Sequence, residues 1–354
     1  MKRAMKHLAP LYAKVAPRVQ PPLCIVLGSP WPVAQLVKTI ALADIVCVQM
    51  DLHQAKRLRD CLQELQVTAQ VETVADLWDL SARFATVIFP AVAHSDRALK
   101  QDMVEQAYHI LQLGGTFIVL SEYERDHVFA PWLKKLYGRC GATPASPEGT
   151  AIFATKTAEN RPRRRHEITF HARIGDSPSV HIVSQPGTFS YGRFDEGSRA
   201  MLEIAEIRSG DRVLDLGCGN GAVGCLAGLQ VGPAGSVTFV DSNLRAIALA
   251  RRNAAANQTP QPRFLAALRL EGLEPASFDV ILANPPYYAL TEITRLFITG
   301  ARSLLAPGGR YYLVTKMPTA VVPMIFQTFG DCSIHENRGY SVISATIGKQ
   351  SSPR

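Results

Sequence analysis

The stretch Asn284-Pro285-Pro286-Tyr287 comes directly after an apolar run and has the residue types to hold a flat exocyclic amine. The Asn284 side-chain oxygen and the Pro285 carbonyl would accept the two N–H groups, and Tyr287 would cover the face of the base or amide. Prolines fix φ and remove N–H donors, so such a turn presents its acceptors at a set angle. An amine of this kind is a poor nucleophile because its lone pair is delocalised. Accepting both protons favours a pyramidal nitrogen with its lone pair aimed at an incoming methyl group. No general base is obligatory, since the nitrogen becomes acidic once methylated.

A methyl donor would need its own site close by. Val213-Leu214-Asp215-Leu216 reads as a short strand, and Gly217-Cys218-Gly219-Asn220-Gly221 follows it at once. Glycines there allow a tight turn and close backbone approach to a ligand, and a helix from Ala222 to Leu229 would point its first N–H groups at it. Further on, Ser236 to Val240 forms a second strand ending in Asp241-Ser242, where an acid can accept both ribose hydroxyls. A glycine loop alone would suit a nicotinamide dinucleotide equally well. Asp215 at its start favours S-adenosylmethionine, whose amino-acid end is cationic where a dinucleotide carries a pyrophosphate. Phe189 to Ser198 reads as a lid over that cofactor, with Asp195 and Ser198 near its polar end. Asp195 also suits the N-cap of a helix from Glu196 to Ile207. The third strand, Arg263 to Ala267, ends in Ala267-Leu268.

These residues need a parallel sheet whose carboxyl edge gathers them. The strand Phe278-Asp279-Val280-Ile281-Leu282-Ala283 delivers Asn284 to that edge, and strands alternate with helical stretches such as Asp96 to Leu111 and Asn243 to Asn257. The plan occurs twice. Leu23 to Gly28 matches the first strand and its glycine, and Ile45 to Asp51 matches the strand ending in an acid. Phe84 to Pro90 matches Phe278 to Asn284, and Gly115 stands at the same offset from Gly309 as Phe84 from Phe278. The fold expected is α/β, two tandem Rossmann-like domains with the N-terminal one degenerate. The first has Gly28-Ser29-Pro30-Trp31-Pro32 where the second has three glycines, and Pro90-Ala91 where the second has Asn284-Pro285. The boundaries are 1–157 for the degenerate domain, serving substrate docking or folding support, 158–185 for a basic linker and entry strand, and 186–350 for the catalytic domain.

Composition is that of an ordinary soluble protein: 354 residues, 47% apolar, 19% charged, formal charge +8. The seven scattered cysteines form no CxxC pair, which fits a reducing cytoplasm and speaks against a disulfide framework or zinc site. His166 and His171 read as surface or RNA-facing residues on one strand, so no metal is expected. No run reaches the roughly 18 apolar residues of a membrane span, and Met1 to His7 lacks the apolar core of a secretory signal. Arg161-Pro162-Arg163-Arg164-Arg165 is a basic, extended connector, either simply solvated or in contact with phosphates.

With these residues in view, the chain resembles the bacterial ribosomal RNA guanine-N2 methyltransferases, the small-subunit methyltransferase C and large-subunit methyltransferase G group. The resemblance rests on the duplication, the Pro-Gly-x-Phe-Ser to Asp-x-Gly-Ser segment at 186–198, the loop at 213–219 and the turn at 284–287. It implies class I methyltransferase domains and methylation of a guanine N2 with S-adenosylmethionine, on ribosomal RNA or a ribosomal subunit. The chain departs from that group after Asn-Pro-Pro, where Phe-His is usual and Tyr287-Tyr288 stands. It also lacks an acid or amide at Ala267-Leu268. DNA adenine-N6 and protein glutamine-N5 methyltransferases share the tetrapeptide, so those acceptors stay open. So does a non-catalytic RNA-binding or ribosome-assembly role. The internal duplication already makes a pseudo-dimer, and a monomer is expected.

Overall fold

Short apolar strands alternating with amphipathic helices build two α/β units, residues 1–166 and 167–354. They are seen in a computed structural model that describes residues 8–91, 96–159, 161–286 and 292–348. The first unit runs α1 (Leu8–Ala13), β1 (Leu23–Val26), α2 (Pro30–Ile40), β2 (Ile45–Gln49), α3 (Leu52–Glu64) and β3 (Gln70–Thr73). It continues with β4 (Phe84–Ala91), α4 (Arg97–Ile110), β5 (Leu111–Ser121), α5 (Phe129–Tyr137), β6 (Gly141–Ala142) and β7 (Thr150–Thr155). The second opens on a hairpin, β8 (Ile168–Ala172) and β9 (Val180–Ser184), followed by α6 (Glu196–Ile204) and β10 (Arg212–Leu216). Then come α7 (Ala222–Val231), β11 (Ser236–Asp241), α8 (Leu244–Ala256), β12 (Pro262–Ala266), β13 (Phe278–Ala283) and α9 (Glu292–Leu304). β14 (Leu305–Thr315), α10 (Pro318–Phe329), β15 (Ser333–Asn337) and β16 (Tyr340–Thr346) close it.

The two large sheets share one topology: β3-β2-β1-β4-β5-β7-β6 and β12-β11-β10-β13-β14-β16-β15. In each, five parallel strands are followed by one antiparallel strand and a last strand paired antiparallel to that one. Strands covered on both faces must be apolar on both, and all of β1 and Val213–Leu216 of β10 are buried. Alternate residues feed different cores. Val26 and Phe89 pack with α4 and α5, while Ile25 and Ile88 pack with α1, α2 and α3. In the second unit Val213 packs with α6, α7 and α8, and Leu214 and Leu216 with α9 and α10. The helix expected from Glu196 to Ile207 stops at Ile204, because the Tyr312 hydroxyl takes the Glu206 N–H at 3.0 Å.

The duplication extends to irregularities. The pairing of β4 with β5 shifts register between Phe84 and Thr86, and that of β13 with β14 shifts between Phe278 and Val280. Strand register also corrects one equivalence. Leu23 pairs Ile45 and Thr86 as Val213 pairs Val237 and Val280, so Gln49, not Asp51, stands at the place of Asp241. Asp51 caps α3 instead, accepting from Gln54 N at 2.9 Å. By the same register Ile25 replaces Asp215 and Pro90 replaces Asn284. A Cβ on Gly28 would lie 2.8 Å from Val33 and 3.3 Å from Pro90. The turn between β1 and α2 is therefore packed shut by the residue that replaces Asn284.

In the second unit α7 lies so close to β11 that a Cβ on Gly224 would sit 2.2 Å from the Phe239 ring. Phe239 is fully buried and stacked on Phe264 at 5.1 Å, which leaves it little room to yield. Gly224→Ala is expected to destabilise this unit by roughly 1–3 kcal/mol through overpacking. Calorimetry would read it as a lowered melting temperature, and an unshifted endotherm would contradict this close packing.

Candidate active site

β13 ends at Ala283, which places Asn284 at the carboxyl edge of the sheet. Its Nδ2 donates to Asp195 Oδ2 and to Ser198 Oγ, each at 2.9 Å. Asp195 is held in turn as the N-cap of α6, where Oδ2 accepts from Ser198 N at 2.7 Å. An ionised carboxylate only accepts, so this pairing fixes which way the amide faces. Both Asn284 N–H groups are consumed, and Oδ1 is the polar atom left for a substrate. Gly197 makes the approach possible: a Cβ there would lie 2.9 Å from the Tyr340 ring and 3.1 Å from Asp195 Oδ2.

Asn284, Asp195 and Ser198 share one cleft with Phe189, Asp215, Gly217, Cys218 and Gly219. Asp215 is buried, and its Oδ2 accepts from Gly224 N at 2.8 Å. Burial pushes this carboxyl up to about 7, against the Gly224 bond and with help from the Asp241 charge. The glycine loop curls over β11, with Gly217 N and Cys218 N both donating to Val240 O at 2.8 and 2.9 Å. Gly217, Gly219 and Gly221 all have left-handed φ (78°, 53° and 82°), as the reading of a glycine-dependent turn requires. Asp241 ends β11 and spans to the loop, its Oδ2 accepting from Gly219 N at 2.9 Å and its Oδ1 from Asn243 N at 2.8 Å. Phe189 leans on Gly219 yet is 52% exposed, an apolar ring without full cover at the mouth. The free space inside is about 30 Å³, about one water's worth.

Among the described residues, the other expected ones do not line this cleft. Gly221 is the N-cap of α7, and Ser242 follows Asp241. Ala267 N donates to Asp241 O at 3.2 Å, just past β12. The Leu268 N–H is taken by Glu271 Oε2 at 3.1 Å, so Leu268 has only its carbonyl to offer a base. N–H bonds from Arg269 and Leu268 hold the Glu271 carboxyl low. Pro285 is buried beside Asn284 and Pro286 half-buried. Tyr287 and Tyr288 lie outside the described residues.

Sequence reasoning missed what holds the 183–187 segment. Arg245 is fully buried and donates through Nη1 to Pro186 O at 2.5 Å, and Asn243 Nδ2 donates to Gly187 O at 3.1 Å. Asn253, also buried, donates to Val183 O and Asn220 O at 2.8 Å each. The usable signal was a charged and an amide residue on the alanine-rich face of α8. His166 departs from expectation. It precedes β8, its φ is 50°, and its side chain is 9% exposed beside Glu105. Burial lowers its pKa. His171 is exposed and faces His181 across the hairpin, ring centroids 5.2 Å apart. Among the described residues no three His, Cys, Asp or Glu side chains gather as metal ligands, and no helix is long and apolar enough to cross a membrane.

Residues 179–344 match the family model of the methyltransferase small domain. A ribosomal RNA large subunit methyltransferase G of Streptomyces avermitilis is 39% identical over 182 residues, covering 50% of this chain and 47% of that protein. A ribosomal RNA small subunit methyltransferase C of Pseudomonas entomophila is 29% identical over 197 residues, 54% of this chain and 58% of that one. The chain thus spans about half the length of the curated relatives it matches. A solved T. thermophilus 16S rRNA N2 methyltransferase, in complex with AdoMet and guanosine, shares the fold with a TM-score of 0.73. It is 21% identical over 98% of this chain and 94% of that one.

Proposed function

We propose that this chain transfers the methyl group of S-adenosylmethionine to the exocyclic N2 of a guanine in ribosomal RNA, free or in a ribosomal subunit, as a cytoplasmic monomer. The observation that carries the reading is the Asn284 amide, both N–H groups consumed by Asp195 and Ser198, with Oδ1 left to accept from an amine. The site residues suit the cofactor in the order of the strands. Asn284 ends β13, Asp215 and the glycine loop end β10, Asp241 ends β11 and Ala267 follows β12. This order fits acceptor amine, amino-acid end, ribose and adenine along one edge.

S-adenosylmethionine, when bound, supplies an electrophilic methyl group on a sulfonium. The chain's own residues align the acceptor. Asn284 Oδ1 takes one amine N–H and the Pro285 carbonyl the other, which localises the nitrogen lone pair. Tyr287 stacks on a base flipped out of its helix. Residues 189–193 close behind the cofactor, between Pro186-Gly187, where Arg245 and Asn243 hold the chain, and Asp195, which stays bonded to Asn284.

Cofactor affinity should depend on pH through Asp215. The native carboxyl, up at about 7, keeps a proton that the unfolded chain releases near pH 4. Its contribution to stability is present below about pH 4 and is lost as pH rises through about 7. An ammonium ligand favours the ionised form. Affinity should therefore rise about fivefold between pH 6 and 7, before the cofactor's own amine loses much of its proton. Calorimetric titration of the wild type and Asp215→Asn checks this, and parallel pH profiles would remove Asp215 from the site.

The reading is tested by transfer of labelled methyl to ribosomal subunits lacking their modifications, followed by nuclease digestion. N2-methylguanine supports it. Label on adenine N6 or on protein glutamine would change the acceptor. Absence of both transfer and stabilisation by cofactor would leave a non-catalytic RNA-binding protein.

A further inference from the structure

The basic stretch 161–165 is packed within the first unit, along a line of aromatic rings. The Arg161 guanidinium lies 5.8 Å from the Tyr108 ring centroid, Arg163 lies 5.7 Å and Arg165 5.2 Å from that of Trp78. An extended chain turns alternate residues to one side, and here those alternate arginines lie against rings. Arg165 is paired with Asp76 at 3.3 Å. Among the described residues no carboxylate lies within ion-pair distance of Arg161, Arg163 or Arg164, and all three are exposed. Beside them Trp132, Gln101, Lys135, Arg161 and Arg164 bound a cleft of about 200 Å³. That is below the roughly 300 Å³ of small-molecule sites and of a size for one planar group. Glu105 is the acid in this cleft. Burial raises its pKa while Arg164, Lys135 and Arg161 pull it down, so positive charge surrounds it.

A ring under a guanidinium holds its stem, and Arg161 Nη1 also donates to Lys135 O at 3.4 Å, which leaves further N–H groups on each guanidinium. Less freedom is then lost when those groups meet a phosphate. A charged track with an aromatic-walled pocket beside it is the arrangement that binds single-stranded nucleic acid. We propose that this face of the first unit binds single-stranded RNA. The backbone phosphates run along Arg161, Arg163 and Arg164, and one base enters the cleft against Trp132. This rests on the reading of RNA as the substrate and assigns the degenerate unit a docking role.

The test uses the full chain and a fluorescent single-stranded RNA oligonucleotide titrated between 50 and 200 mM salt. The strip variant is Arg161→Ala, Arg163→Ala and Arg164→Ala. The control, Lys38→Ala, Lys56→Ala and Arg57→Ala, removes the same charge from α2 and α3, which pack on the other sheet face. The strip variant is expected to bind roughly 10- to 100-fold more weakly, its salt slope reduced by about two, near 0.7 per lost phosphate. The control should match the wild type. Equal losses in both variants would reduce the effect to net charge and overturn the assignment, as would a strip variant that binds like the wild type. If cofactor raises the wild-type melting temperature but no RNA binds, RNA as substrate falls as well. If the wild type binds and methylates RNA and only the strip proves inert, the function stands without this surface.

Discussion

Asn284→Ala is expected to lower the transfer rate by at least 10²–10³-fold, comparable to the removal of one preorganised hydrogen-bonding group at a reacting centre. The Kd for S-adenosylmethionine should stay within about twofold, since the proposed mechanism sets the amide against the acceptor amine and assigns the donor to Asp215, Asp241 and the glycine loop. Asn284→Asp is the more discriminating variant. It keeps an acceptor oxygen but sets a second carboxylate against Asp195, where the amide nitrogen now sits at 2.9 Å. Like charges at that distance cannot both ionise, so one carboxyl stays protonated. The Asp variant should therefore keep part of its activity while the pair shares that proton, and lose it as pH rises and the second carboxyl ionises. Single-turnover transfer alongside calorimetric cofactor titration separates the two effects. Wild-type transfer by Asn284→Ala would end the proposed mechanism, and lost cofactor binding would move Asn284 into the donor site.

What could be read from sequence was local. Phe278–Ala283 is an apolar run stopped by Asn-Pro-Pro, and its strand has those limits. Asp195 is a helix cap by residue type and position, and Gly217 to Gly221 is a turn by its glycines. The doubled topology was legible because both halves carry the same strand-then-glycine order, down to Gly115 and Gly309. What the sequence hid depends on pairing across the fold. Asp51 looked like the partner of Asp241 because both acids follow an apolar strand, and register alone shows that Gln49 holds that place. Glu271 escaped notice because its carboxylate turns back to Leu268 and Arg269 from beyond the strand end. Arg245 carried a signal only in being a charge on the alanine-rich face of α8, and nothing local showed that its guanidinium is wholly buried under Pro186. The bond between Asp195 and Asn284 joins residues far apart in the chain, and each had a sufficient local explanation without the other.

That bond sets the second large effect. Asp195→Ala should reduce transfer roughly 10- to 100-fold, the usual cost of removing a group that orients a primary site residue. With Oδ2 gone, the Asn284 amide loses the acceptor that fixes its nitrogen, and rotamers with N–H facing the substrate become accessible. Such an amide repels the amine it should accept from. The loss should fall on kcat, because the substrate can still dock while the amide is misaligned. Loss of the α6 cap costs about 1 kcal/mol as well, so a lowered melting temperature alone would not establish the orienting role. Asp195→Asn resolves this. Its side-chain oxygen can accept from both Ser198 N and Asn284 Nδ2, as Oδ2 does now, and it should restore most of the rate without the charge. A double-mutant cycle isolates the coupling. In the Asn284→Ala background Asp195→Ala should cost almost nothing further in rate, because there is no amide left to orient. Additive losses would mean that Asp195 acts on the cofactor directly, as its place in the lid first suggested, and that the orientation of Asn284 is set elsewhere.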